Sequence, residues 1–404
     1  MKASRNLTTL GVVLAFDGGS RVAAQLCMVL TVRLLGPGQF GQFTVALTLF
    51  GLITLFADAG LGDSALQRLT TRPDPATAFQ TGPARRRVQT GLLATGATLI
   101  ATTAAAASGH LAWGTAILCL AVPAWILTTN RALELRAMER FRQSAAVTSS
   151  LNFALTASPL AGAFLIPNSI AAAAATSAGL WLLAARRLRR VTRPSDAEGL
   201  RDSLALGLPF LLTGLAVALY SRGDRLVLAL LGDTTATGLY SAAYTVALAA
   251  SLLGNAIQVM ALPRALREHA VSGATWIAVR RRLLIAWGPS IAVVAVTVWY
   301  AEPIVRLLYG TAFAASAPLL IALSPLIPLY VMNPYLGTLL VAAGRETVVT
   351  RIAFANLALA SILFPVAVLT GGALYLAVAS VIVEASGHGL TLIAVKRLLG
   401  SRAE

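Results

Sequence analysis

The sequence predicts an all-α polytopic membrane protein with about 12 transmembrane helices. Hydrophobic residues make up 57% of the 404-residue chain and charged residues only 12%, and the mean hydropathy is +0.76. These values lie far from those of soluble globular domains. Many apolar stretches have the length of about 20 residues that a membrane-spanning helix needs. Short arginine-rich gaps separate them and recur on every second turn.

The apolar stretches predict twelve spans in chain order. The first is expected to be retained, because its apolar run is long for a signal peptide and is interrupted by Asp17 and Arg21. The predicted spans are 8–34, 41–63, 90–108, 111–129, 145–166, 168–185, 204–231, 238–262, 283–300, 314–341, 347–368 and 373–395.

The basic residues predict the orientation of these spans. If the amino terminus is cytoplasmic, 27 of the 32 Lys and Arg residues fall in cytoplasmic segments, as the positive-inside rule requires. Both termini are therefore predicted to be cytoplasmic. The net charge of +16 is then a topology signal, and nucleic acid is not an expected partner. Membrane lipids are expected partners, since cytoplasmic arginines also suit anionic head groups.

The two halves of the chain resemble each other. Residues 34–43 and 230–240 both form a predicted outside turn, with a glycine at the turn and an aromatic residue two positions after a second glycine. Phe43 and Tyr240 are predicted to be interfacial anchors. Six spans per half give both halves the same orientation, so we expect two six-helix bundles related by a pseudo-two-fold axis along the membrane normal. The predicted bundles are 1–190 and 191–404, with a cytoplasmic linker at about 186–203.

Sequence motifs for catalysis or cofactor binding are scarce. Residues 36–41 fit the dinucleotide fingerprint, but they join two predicted membrane helices and include Pro37. The sequence contains no Walker loop, metalloprotease helix pair or paired-cysteine metal motif. The longest hydrophilic gap, about 64–89, is too short for a catalytic domain. We therefore expect no catalytic residues, metal or cofactor, and a protein that is not an enzyme.

Ionisable residues inside the N-terminal spans are candidates for function. Such groups cost about 2.5–3.5 kcal/mol each at a helix centre and usually face a cavity. Asp17 and Arg21 are four residues apart and share a helix face. Asp58 reaches about 25 Å below the outer turn, so it is a second predicted partner of Arg21. The alternative is that these charges only neutralise one another and fix helix packing.

The C-terminal half carries two further groups of charge. Arg222, Asp224 and Arg225 fall in the outer half of the seventh span, and the alternative for Arg225 is snorkelling to the interface. Glu384 and His388 are four residues apart near the middle of the last span. An acid and an imidazole there can relay protons, although packing or capping is an alternative role.

Segments distributed over nearly the whole chain resemble Wzx-type polysaccharide flippases, which transport O-antigen and other lipid-linked oligosaccharides within the multidrug/oligosaccharidyl-lipid/polysaccharide (MOP) exporter superfamily. The resemblance rests on the order and spacing of these segments. They are Arg33-Leu34-Leu35-Gly36-Pro37 with Phe40-Gly41, Asp58-Ala59-Gly60-Leu61-Gly62, Glu139-Arg140-Phe141-Arg142, Tyr220-Ser221-Arg222-Gly223-Asp224-Arg225, Gly238-Leu239-Tyr240-Ser241-Ala242-Ala243-Tyr244 and Leu307-Leu308-Tyr309-Gly310.

The resemblance implies two six-helix bundles around a central cavity in a bacterial plasma (inner) membrane. It implies that a polyprenyl-pyrophosphate-linked oligosaccharide moves from the inner to the outer leaflet by alternating access during cell-surface polysaccharide biosynthesis. Polysaccharide assembly proteins are further expected partners. Buried arginines would substitute for the hydration of the anionic head group.

The residues fit this role in three groups. The expected substrate-binding residues are Arg21, Arg222, Arg225 and Asp224, and their expected charge partners are Asp17 and Asp58. The expected site for an H⁺ or Na⁺ coupling ion consists of Glu384 and His388.

Three other functions stay open. A lipid II (peptidoglycan-precursor) flippase is a close alternative, which the spacing of the segments alone does not exclude. A multidrug antiporter of the same superfamily would favour an acidic cation site, which the buried arginines argue against. In a non-transporting membrane scaffold, the buried charges would serve packing alone.

Overall fold

The computed structural model describes residues 2–62, 83–107, 113–138, 140–166, 169, 171–172, 174–179, 200–249 and 276–400. Every regular element in these ranges is a helix, as the sequence predicts. The helices are α1 (Lys2–Asp58), α2 (Pro83–Ala107), α3 (Trp113–Cys119), α4 (Val122–Ala137), α5 (Phe141–Leu165), α6 (Leu200–Leu231), α7 (234–249), α8 (Trp276–Trp299), α9 (Ala301–Tyr309), α10 (Ser316–Leu323), α11 (Leu326–Ala342) and α12 (Glu346–Gly400).

Several of these helices match a bilayer in length and composition. Within the described ranges, four helices are long and apolar enough to cross a membrane, and counting each of two bent helix pairs as one span raises the number to six. The bent pairs are α8 with α9, at 78°, and α10 with the first part of α11, at 50°. The predicted spans 168–185 and 238–262 lie partly outside the described residues, so the number of twelve stays a prediction.

Two glycines break the longest helices where the sequence predicts a boundary between spans. The 57 residues of α1 would extend about 85 Å if straight, well beyond the hydrocarbon thickness of about 30 Å. Gly36 interrupts α1 with φ 70° and ψ 171°, and Gly372 interrupts α12 with φ 63° and ψ −147°. Both have a positive φ, which glycine adopts without steric cost.

The predicted outside turn near residue 232 is also present. α6 ends at Leu231, Gly232 forms a bend and α7 begins at residue 234. Asp233 caps α7, because its Oδ1 accepts the N–H of Ala236 at 2.6 Å. The prediction of interfacial aromatic anchors beside the two turns is wrong, because Phe43 and Tyr240 are fully buried inside the protein.

The chain divides into two compact units, Met1–Ala218 and Leu219–Glu404. In the N-terminal unit, α1 packs against α2, α3, α4 and α5, around a core that includes Phe50, Leu118 and Ile126. In the C-terminal unit, α11 packs against α8 and α12, around Met332, Leu336 and Val395. The predicted linker at 186–203 lies mostly outside the described residues, so the division into bundles 1–190 and 191–404 stays a prediction.

Helix α2 is rich in threonine although most of its surface is exposed. Its hydroxyl groups donate to carbonyl oxygens of the preceding turn, which satisfies them within the helix. The donors and acceptors are Thr95 to Gly91 at 2.6 Å, Thr98 to Ala94 at 2.6 Å, Thr102 to Thr98 at 2.7 Å and Thr103 to Leu99 at 2.7 Å.

The end of α1 and the beginning of α6 approach each other closely, backbone against backbone. α1 ends in a left-handed turn, with φ 51° at Ala59 and 69° at Gly60. A methyl group on Gly207 of α6 would overlap the carbonyl oxygen of Ala59, and one on Gly60 would lie 2.8 Å from the backbone nitrogen of Leu211. Both glycines are therefore required by the close approach of the two backbones.

Replacing Gly207 by alanine should destabilise the protein by about 1–3 kcal/mol, the usual penalty for overpacking. Gly214→Ala is the matched control in the same helix, because its methyl group would lie at an ordinary 3.5 Å from Leu55 Cδ2. Thermal unfolding of the purified protein in detergent measures both. Equal melting temperatures for the two variants would contradict the proposed backbone contact.

Candidate functional site

The N-terminal unit contains a buried ion pair between Asp58 and Arg87. Asp58 is the last residue of α1, and Arg87 lies in the second turn of α2. Nε and Nη2 of Arg87 both donate to Oδ1 of Asp58. The Arg87 side chain is only 3% exposed, so the paired carboxylate offsets the large penalty of burying this charge.

Other polar groups around Arg87 occupy its remaining donors. Nη1 donates to Oδ1 of Asn130 and Nη2 donates to Oγ1 of Thr129 at 3.4 Å, both from α4. The second carboxylate oxygen of Asp58 accepts the N–H of Gly62 at 3.4 Å. The guanidinium therefore connects α1, α2 and α4 and has little capacity left for a ligand.

In the structure the partner of Asp58 is Arg87. The predicted pairing of Asp58 with Arg21 stays a prediction, because the side chains of Asp17 and Arg21 lie outside the described residues. In the sequence Arg87 is one of the 27 basic residues of the positive-inside pattern, although it lies only three residues before a predicted span. That nearness, on the side of the membrane where the span of Asp58 ends, was the available signal.

The C-terminal unit contains a second polar cluster centred on Asp224 of α6. Its side chain is 2% exposed. Oδ2 accepts the hydroxyl of Tyr240 at 2.6 Å, and that hydroxyl also lies 2.9 Å from Oγ of Ser380. Oδ1 accepts the backbone N–H of Arg225 at 2.8 Å. Asp224 therefore joins α6 to α7 and α12 through hydroxyl groups.

Arg225 packs against an aromatic ring. Its Cζ lies 4.0 Å from the centroid of the Tyr244 ring, which is a cation–π contact. Its Nε lies 3.9 Å from Oδ1 of Asp224. The hydroxyl of Tyr244 is hydrogen-bonded to that of Tyr330 on α11. The position of this guanidinium is therefore fixed by contacts within the unit.

Arg222 differs from Arg225, although the two are one turn apart. Its side chain is exposed, and none of the described residues forms a hydrogen bond or ion pair with it. α6 is helical from Arg222 to Leu231, so Arg222 lies about 15 Å along the helix from the turn at Gly232. An apolar helix thus carries an arginine whose donors stay available well away from its end.

Glu384 and His388 are buried one turn apart on α12. Nδ1 of His388 lies 2.6 Å from Oδ1 of Asn333, and the His388 ring centroid is 5.9 Å from that of Trp287. Nε2 of His388 is buried and has no hydrogen-bond partner among the described residues. Ser380, four residues before Glu384 on α12, contacts the Tyr240 hydroxyl that binds Asp224, so the helix that carries Glu384 meets the Asp224 cluster.

Asn356 packs against the same helix as this acid and imidazole. A side chain at Gly387 would overlap the amide of Asn356, so this glycine leaves room for it. Oδ1 of Asn356 and, on α7, Oγ of Ser241 are buried without a partner among the described residues. A buried oxygen without a hydrogen bond is destabilising.

The sequence thus predicts the charged residues of the C-terminal cluster but does not predict their neutral partners. Tyr240, Tyr244 and Tyr330 were not predicted as partners of the charges, nor was Ser380. The spacing of these residues indicates part of the arrangement. Tyr240 and Tyr244 are four residues apart on one face of α7, and Ser380 lies four residues before Glu384 on α12.

A sequence model of the family described as "Polysaccharide biosynthesis protein" matches residues 10–269. No curated protein sequence matches the chain. Several solved structures resemble it in fold. One is the lipid II flippase MurJ in an inward closed conformation, at 14% identity and a TM-score of 0.71, covering 96% of this chain and 87% of that one.

Two other structures extend the similarity. An inward-facing multidrug resistance MATE family transporter of the MOP superfamily matches at 17% identity and a TM-score of 0.68, covering 94% of each chain. A MOP superfamily transporter from Pyrococcus furiosus, described as having a binding pocket of reverse polarity, matches at 14% identity and a TM-score of 0.65. The match covers 98% of this chain and 96% of that one. Because the family model matches more than half of the chain, this protein belongs to the polysaccharide biosynthesis protein family.

Proposed function

We propose that this protein flips a polyprenyl-pyrophosphate-linked oligosaccharide from the inner to the outer leaflet of a bacterial plasma membrane. In this proposal, twelve spans form two six-helix bundles with cytoplasmic termini, and alternating access moves the head group past the hydrocarbon. Membership in the polysaccharide biosynthesis family and the fold shared with membrane transporters support this function.

The observation that carries the proposal is the exposed, unpaired Arg222 on an apolar helix. An arginine that faced lipid at this depth would cost about 2.5–3.5 kcal/mol. A pyrophosphate would supply the missing acceptors, because guanidinium binds phosphate oxygens through two parallel N–H donors. Arg222 is therefore our principal head-group contact.

The other charges have different proposed roles. Arg225 is held by Tyr244 and Asp224, so it adds positive potential beside Arg222 and is less free to move with a substrate. Asp224 is occupied by Tyr240 and the backbone, so it holds the cluster in place. Asp58 is assigned to packing with Arg87, and Arg21 with Asp17 stays a candidate substrate contact in the N-terminal half.

Glu384 and His388 are our proposed site for a coupling ion. Glu384 is buried near Asp224, and unpaired polar atoms of His388, Asn356 and Ser241 are buried in the same unit. Binding of H⁺ or Na⁺ would satisfy these atoms and reduce the repulsion between the two acids. Such binding would link the ion to the helix that carries Arg222.

A second candidate function is the flipping of lipid II, which the similarity in fold to a lipid II flippase favours. Arg222 would serve equally there, since both substrates carry a pyrophosphate on a polyprenyl chain. The cationic character of α6 disfavours a multidrug antiporter that takes cations. A scaffold function would leave the availability of Arg222 unexplained.

Arg222→Ala should reduce the initial rate of flipping by about 10- to 100-fold, since hydrogen bonds to charged groups contribute about 1.5–3 kcal/mol. Proteoliposomes with a fluorescent polyprenyl-pyrophosphate oligosaccharide in one arm and lipid II in the other measure the rate and the preferred glycan. Arg306→Ala is the control, because Arg306 forms an exposed pair with Glu302 at 2.6 Å, and it should flip at the wild-type rate. Equal rates for Arg222→Ala and wild type would refute the head-group contact.

Glu384→Gln should abolish the acceleration of flipping by an imposed H⁺ or Na⁺ gradient. The neutral amide, unlike the carboxylate, has no negative charge with which to bind and release either ion. Equilibration of substrate without a gradient should continue. Separate H⁺ and Na⁺ gradients across the same proteoliposomes identify the ion, with the exposed Glu302→Gln as the control. An undiminished gradient response in Glu384→Gln would rule out this residue as the coupling site.

A further inference from the structure

We infer that Arg87 is a positioning residue: through Asp58 it holds the Ala59–Gly60 turn against Gly207, and so fixes the beginning of the helix that carries Arg222. The consequence for transport rests on the proposed function. The positioning itself rests on contacts within the N-terminal unit alone.

The first step is the immobility of Arg87. Three of its nitrogens donate to Asp58, Asn130 and Thr129, and its side chain is 3% exposed. Asn130 and Thr129 belong to α4, so a second helix besides α1 holds the guanidinium. Nε and Nη2 of Arg87 converge on one carboxylate oxygen, Oδ1 of Asp58, so the guanidinium fixes where that oxygen lies.

The second step is the turn that follows Asp58. Ala59 has φ 51°, and a left-handed conformation costs a residue with a Cβ about 1–2 kcal/mol. Two hydrogen bonds hold the turn: the N–H of Ala59 donates to the carbonyl of Leu55 at 3.0 Å, and the N–H of Gly62 donates to Oδ2 of Asp58 at 3.4 Å. The same carboxylate thus accepts from Arg87 on one oxygen and from the turn on the other.

The third step is the contact of this turn with α6. The carbonyl of Ala59 faces the Cα of Gly207 so closely that a methyl group there would overlap it. The carbonyl of Gly207 has the same relation to Gly60. No side chain separates the two backbones to absorb a displacement, and packed protein resists even small overlaps. A change in the orientation of Asp58 therefore changes the contact directly.

The last step is the continuity of α6. Gly207 and Arg222 are both residues of this helix, which extends from Leu200 to Leu231 and contains Pro209. In a flippase the position of the head-group arginine decides whether it meets the pyrophosphate, and errors of about 1 Å in a binding group are costly. Arg87 touches no substrate in this arrangement and acts only through Asp58, the turn and Gly207.

The test uses spin labels on either side of the contact. Phe56 and Leu208 are both about half exposed, and each lies within one turn of it. In the full-length protein with Cys27→Ser and Cys119→Ala, labels at Phe56→Cys and Leu208→Cys report the distance by electron paramagnetic resonance. Arg87→Gln should broaden the distribution and shift it by several ångströms, and should slow flipping at least 10-fold. Arg136→Gln, which removes an exposed arginine from the same unit, is the matched control and should change neither quantity.

Removing Arg87 alone leaves the Asp58 carboxylate without its cation and destabilises the folded protein. The double variant Asp58→Asn with Arg87→Gln has no unpaired buried charge, and a monodisperse elution profile identifies the folded protein. It should show the same broadened distance distribution. A residue that only contributed stability would lower the melting temperature and leave the distances in the folded protein unchanged.

Three outcomes decide the inference. An unaltered distance distribution in the folded double variant overturns the positioning role. Altered distances with wild-type flipping overturn its relevance to transport. If the wild-type protein itself flips neither the oligosaccharide lipid nor lipid II, the proposed function fails, and the distances alone still decide whether Arg87 positions the turn.

Discussion

A charge inside an apolar helix must be paired, bonded or exposed to water, and this constraint governs both polar clusters. The described spans are largely alanine, leucine and valine, so each ionised group among them requires compensation from specific neighbours. In the N-terminal unit the compensation is an opposite charge, with Arg87 on Asp58. In the C-terminal unit it is a set of hydroxyl groups and aromatic rings around Asp224 and Arg225.

The two polar clusters differ in how many polar groups they leave available to bind a ligand. The Asp58–Arg87 pair uses nearly all its donors and acceptors, so it serves as a rigid connection between three helices. The C-terminal cluster fixes Asp224 and Arg225 but leaves Arg222 without a described partner, and it has buried polar atoms of His388, Asn356 and Ser241 unsatisfied. A transporter needs both kinds of arrangement, since a ligand can bind only to groups that the fold has not already paired.

The sequence alone predicts the helical membrane class, the breaks near residues 36 and 232 and the residues that carry charge within spans. These features depend on composition and local backbone preference, which a single sequence records directly. The pairing of Asp58 with Arg87 cannot be predicted from the sequence, because the positive-inside rule explains Arg87 equally well as a loop residue. Tyr240 was misassigned to the interface for a related reason: an aromatic residue beside a turn fits either environment, and only the position of Asp224 on the neighbouring helix decides between them.

Helix α2 shows how a membrane surface can be built from residues that are nominally polar. Its threonine hydroxyls are satisfied by their own backbone, so at Thr98 and Thr103, which are partly exposed, the group left to meet a lipid chain is mainly the methyl group. Transfer scales assign threonine the penalty of a free hydroxyl and therefore understate the lipid solubility of such a helix. In alanine-rich chains of this kind, threonine can replace valine at lipid-facing positions with little change in how the bilayer solvates the surface, which widens the range of sequences that can encode the same span.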